Sequence, residues 1–125
     1  KSAYLPGTGE IPEGLLKDAL GEPDPERFCL LLAHSPLFFE EYADWGAELT
    51  LSGHFQGGTI RLPIDGGVMT PQYQFFYPRC AGNFELPGNG KEKSWMIVGR
   101  GLGTHSINIR LNDKPQVVVV RLCGI

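Results

Sequence analysis

One strand–helix–strand pattern in the first half of the chain constrains its fold more than any other feature. Residues 28–33 form an unbroken apolar run, which is typical of a strand that is buried on both faces of a sheet. Residues 36–45 predict a helix, because Ser35 can cap it and Pro36 suits its first turn. Residues 47–52 alternate apolar and polar side chains and predict a second strand. A unit this short implies two parallel strands joined by a right-handed crossover.

A histidine follows each of these two strands. His34 comes directly after the first run, and His54 lies just after the second, on a loop that contains Gly53, Gly57 and Gly58. Because the carboxyl ends of parallel strands meet at one edge of a sheet, where α/β folds bind ligands, both imidazoles are candidate metal ligands. The competing interpretation of each is a buried histidine with an ordinary hydrogen-bond partner. The glycines suit either a simple turn or an anion-binding loop.

The rest of the sequence predicts a β-rich region with one more helix. The additional helix is predicted at residues 12–20, and residues 59–62 predict a short extended segment. A turn is predicted at residues 65–67, an aromatic loop at residues 73–84 and a turn-rich connection at residues 86–92. Three further strands are predicted at residues 95–98, 107–111 and 116–122. The fold class is therefore α/β.

Composition excludes several classes of protein. At 125 residues, with 42% hydrophobic and 20% charged residues, the chain has the profile of one globular domain, and we expect a single domain over residues 1–125 or a portion of a larger one. The net charge of -3 gives no electrostatic basis for nucleic-acid binding. The sequence has no apolar run of the roughly 20 residues that span a bilayer, and its three cysteines form no CxxC pair. We therefore expect no membrane segment, reduced thiols and a cytoplasmic location.

Three short blocks stand out in the sequence. Residues 31–36 read LLAHSP, residues 49–58 read LTLSGHFQGG, and residues 100–104 read RGLGT. In this order and spacing they resemble the C-terminal half of the calcineurin-like metallophosphoesterases, above all a bacterial branch with LLAHSP, LSGHxHGGxxRLP and RGLG blocks. The resemblance covers residues 25–122. It implies the C-terminal part of an α/β/β/α sandwich built around a two-metal site.

The same resemblance implies roles for three residues at the metal site. His34 and His54 would ligate the same metal ion, and Gln56 stands where the family carries a histidine that binds the second ion. A carboxamide offers only a neutral carbonyl oxygen to a metal, so this position is degenerate. The ions implied are manganese, iron or zinc, which imidazole and carboxylate ligands suit.

Three other residues are candidates for binding the phosphate of a substrate. They are Arg61, Arg100 and His105, and all three lie in or near the family-like blocks. The competing interpretation is a surface ion pair with Asp or Glu for the arginines, and simple exposure to solvent for the histidine.

The implied function is hydrolysis of phosphoric mono- or diesters by a metal-bridging hydroxide, with a small phosphoester as the substrate. The family's Asp-x-His, Gly-Asp and Gly-Asn-His blocks do not occur in these 125 residues. We therefore expect a site that this chain cannot complete alone, and impaired activity. The alternative is a non-catalytic binding or assembly module that keeps half of the fold. Half a sandwich would leave an apolar sheet face uncovered, so this alternative predicts a homodimer or a partner chain.

Overall fold

The computed structural model describes residues 11–55, 61–62, 66–67, 79–90, 92–103 and 113–124. The helical segments in these residues are α1 (Leu15–Leu20), a 3₁₀ turn (Pro36–Phe38) and α2 (Phe39–Trp45). The strands are β1 (Leu30–Leu32), β2 (Leu49–Ser52), β3 (Arg61–Leu62), β4 (Gly66–Gly67), β5 (Gly82–Pro87) and β6 (Lys93–Val98). The α-helices have six and seven residues. None of the helices in the described segments is long and apolar enough to cross a membrane.

A mixed four-stranded sheet organises the chain. Its strand order is β1-β2-β6-β5, with β1 and β6 both parallel to the central β2 and with β5 antiparallel to β6. Leu31, Thr50 and Met96 lie side by side in register across the three parallel strands. Strands β3 and β4 pair separately as a short antiparallel ladder. The predicted strand–helix–strand unit and the α/β class are thus confirmed.

The connection between β1 and β2 folds as its sequence predicts. The hydroxyl of Ser35 accepts a hydrogen bond from the Leu37 amide at 3.3 Å, and Pro36 occupies the first turn. Gly46 ends α2 with φ 112°, a conformation that favours glycine. A Cβ atom at this position would approach Cγ of Pro23 to 2.8 Å, so the close contact also requires glycine.

One face of the sheet, which we call the covered face, packs against the helical connection. Leu31 joins a cluster with Phe38 and Tyr42 from that connection. Phe39 of α2 joins a second cluster with Met96 of β6. Phe84 and Leu86 of β5 and Val98 of β6 complete the second cluster. The core of the described residues therefore lies between α2 and this face.

The opposite face, which we call the open face, is only partly buried. Leu32 is 75% exposed and Trp95 is 45% exposed, and Leu30 is exposed as well. Leu49, which lies between Leu30 and Trp95 in register, is buried. The prediction that the run at residues 28–33 is buried on both faces was therefore wrong, because α2 covers only the side on which Leu31 lies.

Three of the predicted loops and turns contain strand. Residues 82–84 of the predicted aromatic loop and residues 86–87 of the predicted turn region belong to β5. Phe84 lies opposite Met96 on the covered face, and Glu85 lies opposite Trp95 on the other side. This two-residue alternation was hidden between Gly82 and Pro87, which are usual turn signals. Gly66–Gly67, predicted as part of a turn, instead forms β4.

One predicted strand is absent from the place where it was expected. Residues 116–122 form no strand, and only Gln116 makes an isolated antiparallel bridge, to Gly101. The valine-rich segment has a strong preference for extended structure, but a strand requires a hydrogen-bonded neighbour along its length. Residues 95–98 do form a strand, which begins at Lys93, and the helix predicted at 12–20 is limited to Leu15–Leu20. The strand predicted at 107–111 lies outside the described residues.

Candidate functional site

Three parallel strands end at the same edge of the sheet, and a charged or metal-ligating side chain follows each of them. His34 follows β1, His54 follows β2 and Arg100 follows β6. Backbone hydrogen bonds join the three strand ends. The Gly53 amide donates to the carbonyl of His34 at 3.2 Å, and the Gly99 amide donates to the carbonyl of Ser52 at 2.9 Å. We call this region the carboxyl edge.

The imidazole rings of His34 and His54 lie next to each other. Their centres are 4.5 Å apart, and the ring planes are inclined at 55°. With metal–nitrogen bonds of about 2.1 Å, two imidazoles that share one ion have ring centres roughly 5 Å apart. The observed separation of the ring centres is close to this value. A metal requires more ligands than two, and no cluster of three or more His, Cys, Asp or Glu side chains occurs in the described ranges.

His54 occupies a strained turn. Its φ is 66°, which makes it the only non-glycine residue with positive φ among those the structure describes. The Phe55 amide donates to the carbonyl of Gly53 at 2.8 Å, so His54 is the central residue of a tight three-residue turn. Phe55 is completely buried, which anchors the chain directly after the histidine. Such strain persists only where the surrounding structure imposes it, and it is concentrated at functional sites.

Arg100 pairs with a buried carboxylate. Its Nε lies 3.7 Å from Oδ1 of Asp113, whose side chain is completely inaccessible to solvent. The amide of Gln116 donates to the carbonyl of Gly101 at 3.0 Å, which joins the segment after Asp113 to the loop after β6. The sequence offered a surface ion pair as one interpretation of Arg100. The ion pair exists, but its acidic partner is buried.

These groups surround a cavity of about 540 Å³ at the carboxyl edge. Its walls come from the three strand ends and from the segment after Asp113. The described lining residues are His34, Ser52, Gly53, His54, Gly99, Arg100, Gly101, Leu102, Gly103, Gln116 and Val118. The buried hydroxyl of Ser52 has no hydrogen-bond partner within the described part of the chain. The cavity is therefore lined by imidazole, guanidinium and amide groups, whereas the Ser52 hydroxyl is buried beneath its surface.

Burial and an ion pair shift two pKa values in the elements that support the edge. Burial raises the pKa of Tyr42 to about 12, and its hydroxyl donates to the carbonyl of Ser35, next to His34, at 3.0 Å. Hydrogen bonds from Arg79 lower the pKa of Glu40 on α2. Nη1 and Nη2 of Arg79 donate to the two carboxylate oxygens at 2.9 and 2.7 Å. Neither shifted group lines the cavity.

Of the six predicted site residues, the structure brings together three: His34, His54 and Arg100. Gln56, His105 and the side chain of Arg61 lie outside the described residues. Asp113 and Gln116 were missed as site residues. The sequence around Asp113 reads Asn-Asp-Lys-Pro, which is a usual turn signal, and nothing in it indicates a contact with Arg100.

Comparisons with known proteins identify relatives in several bacteria. The chain is 33% identical over 112 positions to the uncharacterized metallophosphoesterase YkuE of Bacillus subtilis, covering 82% of this chain and 37% of YkuE. It is 32% identical over 119 positions to the phosphodiesterase YaeI of Escherichia coli, covering 94% of this chain and 40% of YaeI. An uncharacterized metallophosphoesterase of Aquifex aeolicus is 30% identical over 108 positions, covering 86% of this chain and 37% of that relative.

Neither a family model nor a solved structure matches the chain. The curated relatives alone provide the assignment, and three of them carry names that state phosphoesterase or phosphodiesterase activity. The chain spans less than half the length of these relatives. These matches establish that the chain belongs to the metallophosphoesterase family.

Proposed function

We propose that this chain supplies the part of a phosphoesterase site in which His34 and His54 hold one divalent metal ion. The observation that carries the proposal is the 4.5 Å separation of the two rings at the ends of adjacent parallel strands. The function is hydrolysis of phosphoric mono- or diesters, as in the family. The chain would form the C-terminal portion of an α/β/β/α sandwich.

The residues of the carboxyl edge hold the two imidazoles close together in the absence of a ligand. The turn at His54 is fixed between β2 and the buried Phe55, so little conformational entropy remains to be lost on binding. Arg100 would bind the oxygens of the phosphoryl group that do not react. When bound, divalent ions polarise a phosphoryl oxygen and make water a stronger nucleophile.

The site is expected to be impaired in this chain. Two imidazoles fill only part of a metal's coordination, and by resemblance Gln56 replaces the histidine of the second ion. The isolated chain should therefore show negligible turnover of bis(p-nitrophenyl) phosphate with added Mn²⁺. Robust metal-dependent turnover would contradict the impairment.

Metal affinity tests the assignment of the ligands. His34→Ala and His54→Ala should each lower the affinity for Zn²⁺ by at least about tenfold, because each removes one of the two imidazoles that would hold the ion. Gln56→Ala is the contrast: by resemblance this position belongs to the second ion, so the affinity for the first ion should be unchanged. Isothermal titration calorimetry measures all three variants. Unchanged affinity in both histidine variants would show that the histidines do not contribute to the site.

The open face favours a second candidate function, assembly with another copy of the chain. Leu32 and Trp95 expose apolar surface on a sheet face, and such patches drive association. Light scattering should then find a dimer at micromolar concentration, and Leu32→Glu should shift it to monomer. Leu20→Glu is the matched control, since Leu20 is an exposed leucine on α1, away from the sheet. A monodisperse monomer of the unaltered chain would contradict this function.

A further inference from the structure

A buried carboxylate lies behind the cavity. Asp113 is only 3% exposed, and both of its carboxylate oxygens are buried. Burying an ionised carboxylate is costly unless a cation or hydrogen-bond donors compensate for the lost water. Nε of Arg100, 3.7 Å away, supplies a positive charge. The fold therefore keeps this carboxylate buried beside the arginine of the cavity.

The geometry of the pair leaves part of Arg100 facing the cavity. Nε is buried, yet 30% of the side chain is exposed and the residue lines the cavity. The exposed surface therefore belongs to other atoms of the side chain. The Arg79–Glu40 pair differs, because its carboxylate accepts from both terminal nitrogens of the guanidinium.

The segment that carries Asp113 is attached to the same loop as Arg100. The hydrogen bond from Gln116 to Gly101 fixes the two segments to each other. Gln116 and Val118 also line the cavity. Asp113 thus belongs to a segment that forms one wall of the cavity. Two contacts join this segment to the loop after β6: the ion pair with Arg100 and the hydrogen bond from Gln116 to Gly101.

We propose that Asp113 is a positioning residue, whose buried negative charge 3.7 Å from Nε biases the orientation of Arg100 so that its terminal nitrogens bind the oxygens of a phosphoryl group in the cavity. The proposal rests on the proposed function, because it takes the cavity as the place where the phosphoryl group binds. A planar guanidinium that is fixed in orientation can form two parallel hydrogen bonds to a phosphate. Without Asp113 the cation remains but loses this electrostatic constraint on its orientation.

The direction in which phosphate affinity changes when Asp113 is neutralised distinguishes a positioning role from simple electrostatic repulsion of the phosphate. A negative charge next to Arg100 weakens the attraction for any anion, so its removal alone should tighten phosphate binding. Positioning predicts the reverse. Metal-free titration with inorganic phosphate, followed by the Nε–Hε NMR signal of Arg100 and by calorimetry, measures the affinity directly.

The expected results are specific to each variant. Arg100→Gln should weaken phosphate binding by at least about tenfold, the effect of a lost charge-assisted hydrogen bond. Asp113→Asn should weaken it by about three- to tenfold, and Asp113→Glu should recover part of that loss. Glu40→Gln is the matched control, because it disrupts an arginine–carboxylate pair outside the cavity and should leave phosphate affinity unchanged.

Phosphate binding by Asp113→Asn that is equal to or tighter than that of the unaltered chain would overturn the proposal. If Asp113→Asn does not fold, Arg100→Lys tests the same point. Lysine keeps the charge but has no Nε and no planar fork, so it should lose as much affinity as Asp113→Asn is expected to lose. Unchanged affinity of Arg100→Lys would overturn the proposal as well.

The proposed function can fail separately. If neither histidine affects metal binding while Arg100 and Asp113 control phosphate binding, the metal assignment is wrong and the positioning role stands. If the histidines bind metal while Arg100→Gln binds phosphate normally, only the positioning role is wrong.

Discussion

The covered face and the carboxyl edge are built from the same strands, but they differ in how regular their packing and backbone conformation are. On the covered face, Phe39, Met96 and Val98 are almost completely buried in an apolar cluster. At the edge, His54 has a strained backbone and Arg100 lies against a buried acid. Residues that stabilise the fold are therefore distinct from those expected to bind a ligand. Changes to the covered face should unfold the chain, whereas changes at the edge should alter binding and leave the fold intact.

The largest effect on stability is expected at the centre of the covered face. Phe39→Ala should lower the free energy of unfolding by about 3–5 kcal/mol, through lost burial and the cavity that remains. Urea denaturation followed by circular dichroism measures it. Metal affinity in the absence of urea should be unchanged, as long as the variant remains folded. A specific loss of metal binding in a folded variant would remove the distinction between the two regions.

The strain at His54 predicts a smaller effect on stability, which appears as a difference between two substitutions at this position. His54→Gly should be more stable than His54→Ala by about 1–2 kcal/mol, because glycine adopts positive φ without steric cost. Both variants lose the imidazole, so their difference isolates the backbone, and the same denaturation experiment compares them. Equal stabilities would mean that the turn at His54 is not strained.

Thr50 is the polar exception on the covered face. It is completely buried, and its hydroxyl has no hydrogen-bond partner among the residues described. Thr50→Val keeps the shape and removes the unsatisfied group, so it should raise the free energy of unfolding by about 1 kcal/mol. Thermal denaturation measures the gain. A destabilised variant would indicate that the hydroxyl is hydrogen-bonded after all.

A further effect, confined to alkaline pH, is expected from Tyr42, which connects the covered face to the edge. Its pKa is about 12 in the fold and about 10 in an unfolded chain. Between these values the native state keeps a proton that the unfolded state has lost, so stability falls as pH rises from about 10 to about 12. Below pH 10 this contribution is fully present. Tyr42→Phe should remove this part of the pH dependence, and an unchanged profile would contradict the burial of the hydroxyl.

The sequence predicted the regular part of the fold well. The sequences of residues 31–36 and 49–54 correctly predicted that a strand ends before each histidine. Such predictions succeed because apolar runs and helix-capping residues determine the structure of their own segment. The parallel pairing of β2 with β6 was not predicted, since it depends on contacts between residues far apart in the chain. Strand β5 was missed for the same reason. Its alternating side chains are explained only once β6 lies beside them.

The site was predicted in part, and the limit has a physical cause. His34 and His54 could be predicted to meet, because parallel strands bring their carboxyl ends together. The contact of Asp113 with Arg100 could not be predicted. It depends on the segment from residue 113 onward, which has no regular secondary structure and lies against the carboxyl edge. An acidic residue in a turn-like sequence carries no signal that it will be buried beside an arginine.

The most direct test of the central claim is the stoichiometry and location of metal binding. Zn²⁺ titration of the purified chain, followed by the ¹⁵N signals of its three histidines, should shift His34 and His54 together and saturate at one ion per chain. Either His34→Ala or His54→Ala should abolish that binding, and Cys123→Ser, which removes an exposed thiol, should not. Unchanged binding in both histidine variants would contradict the claim that these two residues hold one metal ion.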